Sequence, residues 1–352
     1  MPQRVVFGVG SFARVAAELE ALGSRRVLLI ASASAKTRAD DLAHRLGARL
    51  AARVHEVRQH VPQALADDTV ALARGQDADA VVTIGGGSAT GLGKAVALET
   101  GLPLLAVPTT YAGSEATPVW GVTGEHKRTG RDLRALPRVV VYDAELLAGL
   151  PPSTTATSGL NALAHCVEAL WSPDATPVTD LLAAEAIHLL AAALPRATWN
   201  PGEVADRDDA LLGAWLAGTA FAVAGGGLHH TLCHVLGGTW GLDHGATHAV
   251  LLPHVTAYNT DAAPDAVATV ARGLREDDAA RGLWDLARTL AAPPSLAAIG
   301  MPAGGLDEAA ERAVTAVGER NPRPVDVASL RRLLDDAFHG RAPGGSAPGP
   351  AG

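Results

Sequence analysis

The chain is 352 residues long, with 48% hydrophobic and 19% charged residues, enough for two ordinary domains with separate cores and too apolar for a disordered chain. Its formal net charge of −8 argues against nucleic acid or an anionic membrane as the principal partner. Cys166 and Cys233, the two cysteines, make no disulfide framework and point to a reducing, cytoplasmic setting.

The opening MPQRVVFGVG has neither an apolar h-region nor a small-residue cleavage site, so no signal peptide is expected. In chain order, RVVFG (4–8), VLLIAS (27–32), RVHEVR (53–58), AVVTIG (80–85), LLAVPT (104–109) and RVVVYD (138–143) read as strands. Amphipathic stretches at 39–50 and 62–73 alternate with them, which predicts a parallel sheet covered by helices on both faces. VWGVTGEHKRTG (119–130) is less clear, with a hairpin insertion as one reading.

From GLPPSTTATSG (149–159) onward the strand signals vanish, and Ala-rich helical patterns run to about residue 338. Residues 210–228 carry no charge and could be mistaken for a membrane span. Their Ala and Gly content and the histidines that follow predict a buried helix instead. The expected division is an α/β nucleotide-binding domain at 1–152, an all-helical catalytic domain at 153–339, and a low-complexity, disordered tail at 340–352.

TIGGGSATGLGKA (83–95) is the best phosphate-binding candidate. Gly85, Gly86 and Gly87 follow a buried strand and a helix begins near Ser88, so bare amides and a helix dipole can face a pyrophosphate. Only three lysines occur, Lys36, Lys94 and Lys127, and the rarity of cations favours Lys94 as a partner of this loop. GVGSFA (8–13) matches a loose dinucleotide pattern, but no acidic residue ends the second strand, and a structural turn is the better reading. PTTYAGSEATP (108–118) follows the fifth strand, where open α/β sheets bind ligands. Thr109, Thr110, Tyr111 and Ser114 could supply hydroxyls there.

In SGLNALAHCVEALW (158–171), Asn161 and His165 stand one helical turn apart, off the apolar stripe of Leu160, Leu163, Val167 and Leu170. In HHTLCHVLGGTWGLDHG (229–245), His230 and His234 are again i, i+4, and His244 opens a turn. Two helices and a turn can converge these groups on one point. The spacing leaves a metal site, a proton-transfer site and hydrogen-bonded core histidines all open.

These stretches, with KRTGRDLRALPR, THAVLLPHVTAYN and NPRPV, together resemble the iron-containing (group III) alcohol dehydrogenase family, most closely its maleylacetate reductase branch. The resemblance spans nearly the whole chain. It implies the α/β nucleotide-binding domain plus all-α C-terminal domain of the group III alcohol dehydrogenase and dehydroquinate synthase-like architecture, and commonly a homodimer. In metal-dependent members an Asp and three His bind the ion, at positions that are Asn161, His165, His230 and His244 here. Asn161 replaces the carboxylate with a neutral amide, and Gly91 stands where metal-dependent relatives have Asp. Both departures imply the reductase branch, with no tightly bound metal.

The implied reaction is maleylacetate plus NAD(P)H to 3-oxoadipate, in aromatic catabolism. Asn161, His165, His230 and His244 would polarise or orient the substrate, and His234 would donate or relay the proton. Lys127, Arg128, Arg131 and Arg323 are candidates for the dicarboxylate, and Tyr111 for a substrate hydroxyl contact. Ser32 ends the second strand where NAD-selective relatives often place Asp, so NADPH should be accepted, with NADH as well. The alternatives are a metal-dependent alcohol dehydrogenase and a repurposed lyase, cyclase or reductase in a biosynthetic pathway.

Overall fold

The computed structural model describes residues 3–125 and 127–344, and the chain divides into two compact units, Met1–Leu150 and Pro151–Gly352. The first contains β1 (Arg4–Phe7), α1 (Val15–Ala21), β2 (Val27–Ala31), α2 (Lys36–Leu46), β3 (Leu50–Val54), α3 (Gln63–Gly75) and β4 (Ala80–Gly85). It continues with α4 (Gly87–Thr100), β5 (Leu104–Pro108), β6 (Val119–Thr123), β7 (Lys127–Arg131) and β8 (Val139–Tyr142).

Six strands pair in the order β1-β8-β5-β4-β2-β3, every pair parallel. Burial on both faces explains the near-continuous apolar runs of β2, β4, β5 and β8. Val27, Leu29 and Ala31 enter one core with Leu19 and Leu42, whereas Leu28 and Ile30 enter another with Val70 and Leu92. This alternation is the pleat expressed in sequence. The stretch 119–130 resolves as the antiparallel hairpin β6-β7, apart from the main sheet.

One strand differs from its expected place. RVHEVR suggested 53–58, but β3 begins at Leu50, because β2 sets the register: Val27 lies beside Leu50 and Ile30 beside Val54. At the sheet edge β3 is only half-buried, so its Ala-containing sequence carries a weak strand pattern. Helix α2 ends at Leu46, four residues short of the amphipathic stretch.

Helix α4 lies tightly on the sheet at Gly93, where a Cβ would fall 2.3 Å from Thr83 Cγ2 and 3.0 Å from Leu104 Cδ1. Both neighbours are buried strand residues with little room to yield. Gly93→Ala should therefore cost about 1–3 kcal/mol by overpacking. Thermal melting checks this, and an unchanged midpoint would contradict it.

The second unit is helical: α5 (Pro152–Trp171), α6 (Pro177–Trp199), α7 (Val204–Ala224), α8 (Leu228–Trp240), α9 (His244–Asn259), α10 (Pro264–Leu274), α11 (Ala279–Thr289), α12 (Leu306–Val317) and α13 (Val327–His339). Helix α5 is buried nearly all round, against α6, α7 and α9, which its small and apolar residues permit. Thr176 and Thr179 form a capping box at α6, and Asp243 caps α9 through the Ala246 N–H.

Residues 210–228 are not one helix. The chain breaks at 225–227 and turns by 99° between α7 and α8. Among the described residues, the single helix long and apolar enough to cross a membrane is α6. It buries Ala183, Ile187, Leu190 and Leu194 within the unit. Of the tail read from Gly340, residues 340–344 are described, and Arg341 pairs with Asp335 and Asp336; residues 345–352 lie outside the described residues.

Candidate active site

In the first unit, α2 leaves β2 toward one face of the sheet and α3 and α4 flank the other, so the connections diverge after the neighbouring strands β2 and β4. Such a switch point opens a crevice at the strand carboxyl ends. Ser32 and the glycines 85–87 lie there. A Cβ on Gly85 would come 3.0 Å from Ser32 Oγ and 2.7 Å from Ala89 Cβ, and one on Gly86 would meet Thr110 Cγ2 at 2.8 Å. Three segments thus crowd together at a point only glycine tolerates.

Helix α4 starts at Gly87 without a side-chain cap, so the first-turn amides, including that of Ser88, are available to phosphate oxygens. Thr109 ties the following loop to this point by donating its N–H to the Gly85 carbonyl at 3.0 Å. Ser32 Oγ and Ser34 Oγ lie 3.1 Å apart. The GVGSFA segment is a turn held by Asp143, which accepts the amides of Gly10 and Phe12.

Lys94 requires a correction. Its side chain is buried, and Nζ donates among the Ser114 and Val119 carbonyls, Ser114 Oγ and Thr117 Oγ1, at 2.6–3.2 Å. Burial pushes its ammonium down to about 7, against the opposing field of Glu115. It is a brace for the loop after β5, not a phosphate cation, and Ser114 belongs to the same brace. Glu115, also buried, accepts from the Tyr142 hydroxyl at 2.9 Å.

Tyr111 is fully buried as well and presents no accessible hydroxyl to a substrate. Arg128 sits exposed on β7 and donates to Gln63 Oε1 at 2.6 Å, and Arg131 is exposed at the end of the same strand. Lys127 is in β7, and its side chain lies outside the described residues.

In the second unit the expected histidines do converge. Asn161 and His165 come from α5, His230 and His234 from α8, and His244 from the start of α9. The His165 and His230 rings stack at 5.0 Å with 10° between planes, and those of His234 and His244 at 5.9 Å and 10°. Phe221 closes one side, with ring centroids 4.5 Å from His165 and 4.4 Å from His230. Asn161, His165 and His230 are each buried. Arg323 lies apart from this cluster in contacts, stacked 4.2 Å over the Tyr258 ring and donating to the Tyr258 carbonyl.

Three further residues complete the arrangement, and sequence reasoning passed over all of them. Glu168, buried on α5, accepts the His230 Nδ1–H and the backbone amides of His229 and His230. Burial alone would raise its pKa, but the His230 side-chain hydrogen bond foremost, with the fields of His230 and His229 and the Gly227 backbone, outweighs burial and holds it at about 2. A Cβ on Gly227 would lie 3.2 Å from Glu168 Oε1, so the glycine run lets the carboxylate reach the start of α8. His230 Nε2 is left buried with no hydrogen-bond partner, aimed for something the protein does not itself supply.

Behind this pair, His229 Nε2 meets His248 Nδ1 at 2.7 Å, and His248 Nε2 meets His244 Nε2 at 3.1 Å. Burial pushes His229 down to about 3 and His248 well below the usual range. His229, Cys233 and His248 also place ligand atoms within 4.8 Å of one another. The doublet His229-His230 and the i, i+4 spacing of His244 and His248 stand in the sequence, but neither that spacing nor the place of Glu168 three residues past His165 reports burial or partners.

Two family models match the chain, "Iron-containing alcohol dehydrogenase" over residues 2–144 and "Fe-containing alcohol dehydrogenase family, C-terminal" over residues 155–338. A maleylacetate reductase of Burkholderia cepacia is 47% identical over 341 residues, covering 97% of each protein. The crystal structure of maleylacetate reductase from Rhizobium sp. strain MTP-10005 superposes with a TM-score of 0.91 at 45% identity, over 97% of this chain and 98% of that one. An iron-containing alcohol dehydrogenase structure from Corynebacterium glutamicum ATCC 13032 gives a TM-score of 0.90 at 44% identity, over 96% and 95%.

Proposed function

The chain belongs to the iron-containing alcohol dehydrogenase family, and on that premise we propose that it is an NAD(P)H-dependent reductase converting maleylacetate to 3-oxoadipate. The observation that carries this reading is 42–47% identity, over 97% of the chain, to maleylacetate reductases of several bacteria. A reduced nicotinamide dinucleotide, its pyrophosphate held by the glycine loop at 85–88, would supply hydride to the alkene carbon beta to the ketone, and negative charge would develop on the enolate oxygen. A proton then goes to the alpha carbon. His230, backed by the Glu168 carboxylate, is suited to carry a proton on Nε2 toward that oxygen, because the carboxylate offsets the imidazolium charge. Asn161, His165 and His244 orient the substrate, and His234 supplies the proton.

The reading includes a site without a tightly held divalent ion. His230 is prepared as a ligand would be, with a carboxylate behind it. The rest of the donor set does not fit: Asn161 brings no charge, and His244 Nε2 is hydrogen-bonded to His248. Oxidation of NAD(P)H with freshly generated maleylacetate, with and without EDTA, tests both parts. Turnover should persist after chelation. Loss restored by Fe²⁺ or Zn²⁺ would sink the metal-free part, and no turnover at all would sink the substrate.

NADPH is accepted in this reading because Ser32 offers a hydroxyl and no carboxylate beside the glycine loop. Ser32→Asp should lower kcat/KM for NADPH by about tenfold or more and spare NADH, since like charges in a crevice repel by a kcal/mol or more. An unchanged NADPH/NADH ratio would remove Ser32 from cofactor selection. The reading extends to a cytoplasmic homodimer acting on a small dicarboxylate, with no nucleic acid or membrane partner. The exposed guanidinium of Arg323, braced on Tyr258, is its candidate for a substrate carboxylate in the second unit.

A further inference from the structure

We propose that Arg320 is a positioning residue for the reduction: its guanidinium clamps the glycine hinge between α7 and α8 and so fixes the bearing of His230 on the substrate oxygen. The effect on turnover rests on the reading of His230 as the group that polarises that oxygen; the clamp on the hinge does not.

Residues 225–227 carry the chain from α7 into α8 through a 99° turn with three glycines in a row. Glycine backbone has the most conformational freedom to lose, so a fixed turn of this kind needs external holds. Gly225 sits at φ +74°, a region that side chains rarely adopt. Helix α8 starts after Gly227 with no side-chain cap, so its direction is not set locally. Glu168 holds it from α5 by taking the His229 and His230 amides. The carbonyls on the other side of the hinge go to Arg320.

One edge of the guanidinium spans the hinge. Nε donates to the Gly226 carbonyl at 3.0 Å and Nη2 to the Ala224 carbonyl at 2.8 Å. Ala224 is the last residue of α7, where a cation is favoured by the helix dipole, and its carbonyl also accepts the Ser172 hydroxyl at 2.5 Å. The approach is close: a Cβ on Gly225 would fall 3.0 Å from Arg320 Nη2, and one on Gly227 would fall 2.9 Å from the Arg320 carbonyl oxygen. Two N–H groups fixed in one plane suit this task, and a lysine ammonium does not offer them.

Arg320 can clamp because its own place is fixed. Asn321, the next residue, exchanges two hydrogen bonds with the fully buried Asn259 of α9, at 2.8 and 3.0 Å, and donates to the Arg323 carbonyl at 2.7 Å. Helix α9 is thereby tied through 320–321 to the hinge. His230 follows three residues after Gly227, and its Cβ lies 3.1 Å from where a Gly226 Cβ would stand. Drift of the hinge therefore reaches the His230 ring directly. The remaining strong contact, Nη2 to Asp174 at 2.9 Å, joins two exposed side chains and contributes little.

Steady-state kinetics with maleylacetate, read beside hydrogen–deuterium exchange of the full chain, test the clamp. Arg320→Ala should lower kcat about 10- to 100-fold, as for a working group displaced by about an ångström, with KM and NADPH affinity within about threefold of the parent. Amide exchange across 225–231 should quicken in the same variant. N-ethylguanidinium, kept below denaturing concentration, should raise its kcat at least about fivefold, because the ion presents the same donor edge. Ethylammonium at equal ionic strength should not. Asp174→Asn removes the ion pair, leaves both carbonyl contacts, and should stay within about twofold of the parent. The proposal is overturned by a parent-like kcat in Arg320→Ala, by a loss confined to KM, or by rescue that is absent or equal for the two cations. A loss in Asp174→Asn matching that in Arg320→Ala overturns it as well. If Arg320→Ala does not fold, Arg320→Lys carries the test, with the same fall in kcat expected and a parent-like kcat overturning it. Should the parent itself not reduce maleylacetate, the substrate reading fails and exchange across 225–231 still decides the clamp: unchanged exchange in the variant overturns it.

Discussion

His234→Ala should lower kcat by about 10²- to 10⁴-fold, the range set by loss of a positioned general acid. His234 lies one turn after His230 on α8, is half-buried, and stacks on His244 with ring centroids 5.9 Å apart. It is edge-on to His230 at 6.3 Å, so it stands beside the oxygen-polarising group without duplicating its contact with Glu168. NADPH affinity should be unchanged, because the role assigned to His234 is proton transfer and not cofactor binding. Stopped-flow turnover with maleylacetate, paired with a fluorescence titration of NADPH, checks both parts. A kcat within threefold of the parent would move the proton-donor role to another group.

Glu168→Gln should be the most damaging single isosteric change in the helical unit. The carboxylate accepts three hydrogen bonds, from the His230 ring and from the amides of His229 and His230. An amide has one oxygen, and its NH₂ would face donors. Breaking a buried charged pair in this way costs about 3–5 kcal/mol. For a unit of this size that corresponds to a fall in melting temperature of about 6–20 °C. The surviving enzyme should also lose about 10- to 100-fold in kcat, as when the partner that orients a working histidine is removed. Calorimetry and steady-state kinetics on the same preparation test the pair of effects. A stable variant with unchanged kcat would show that His230 needs no carboxylate behind it.

The two effects differ in how far sequence could reach them. His234 was visible because i, i+4 histidines on a helical pattern announce a shared face. Glu168 was not, since nothing in ALAHCVEALW separates a buried carboxylate from a solvated one. What makes it special is the approach of α8 to α5, which depends on 225–227 having no side chains. His248 was hidden for a similar reason. THAVLLPH reads as one more apolar helix, and its first histidine matters only because His229 and His244 flank it in space. Lys94 misled in the opposite sense. Its rarity in the chain suggested a ligand contact, but rarity carries no information about burial, and the side chain braces a loop from within the core.

By itself the sequence determined the class of both units, because strand runs buried on two faces and Ala-rich helical periodicity are local patterns. It also determined the glycine loop at the sheet's switch point and the histidines that converge. Only the tertiary structure decided the edge register of β3, the break between α7 and α8, the interior role of Lys94 and Tyr111, and the carboxylate and histidine chain behind His230 and His244. Those features depend on distances between segments far apart in the chain. A hydrogen bond from α8 to α5 spans some sixty residues, and no local spacing rule can report it.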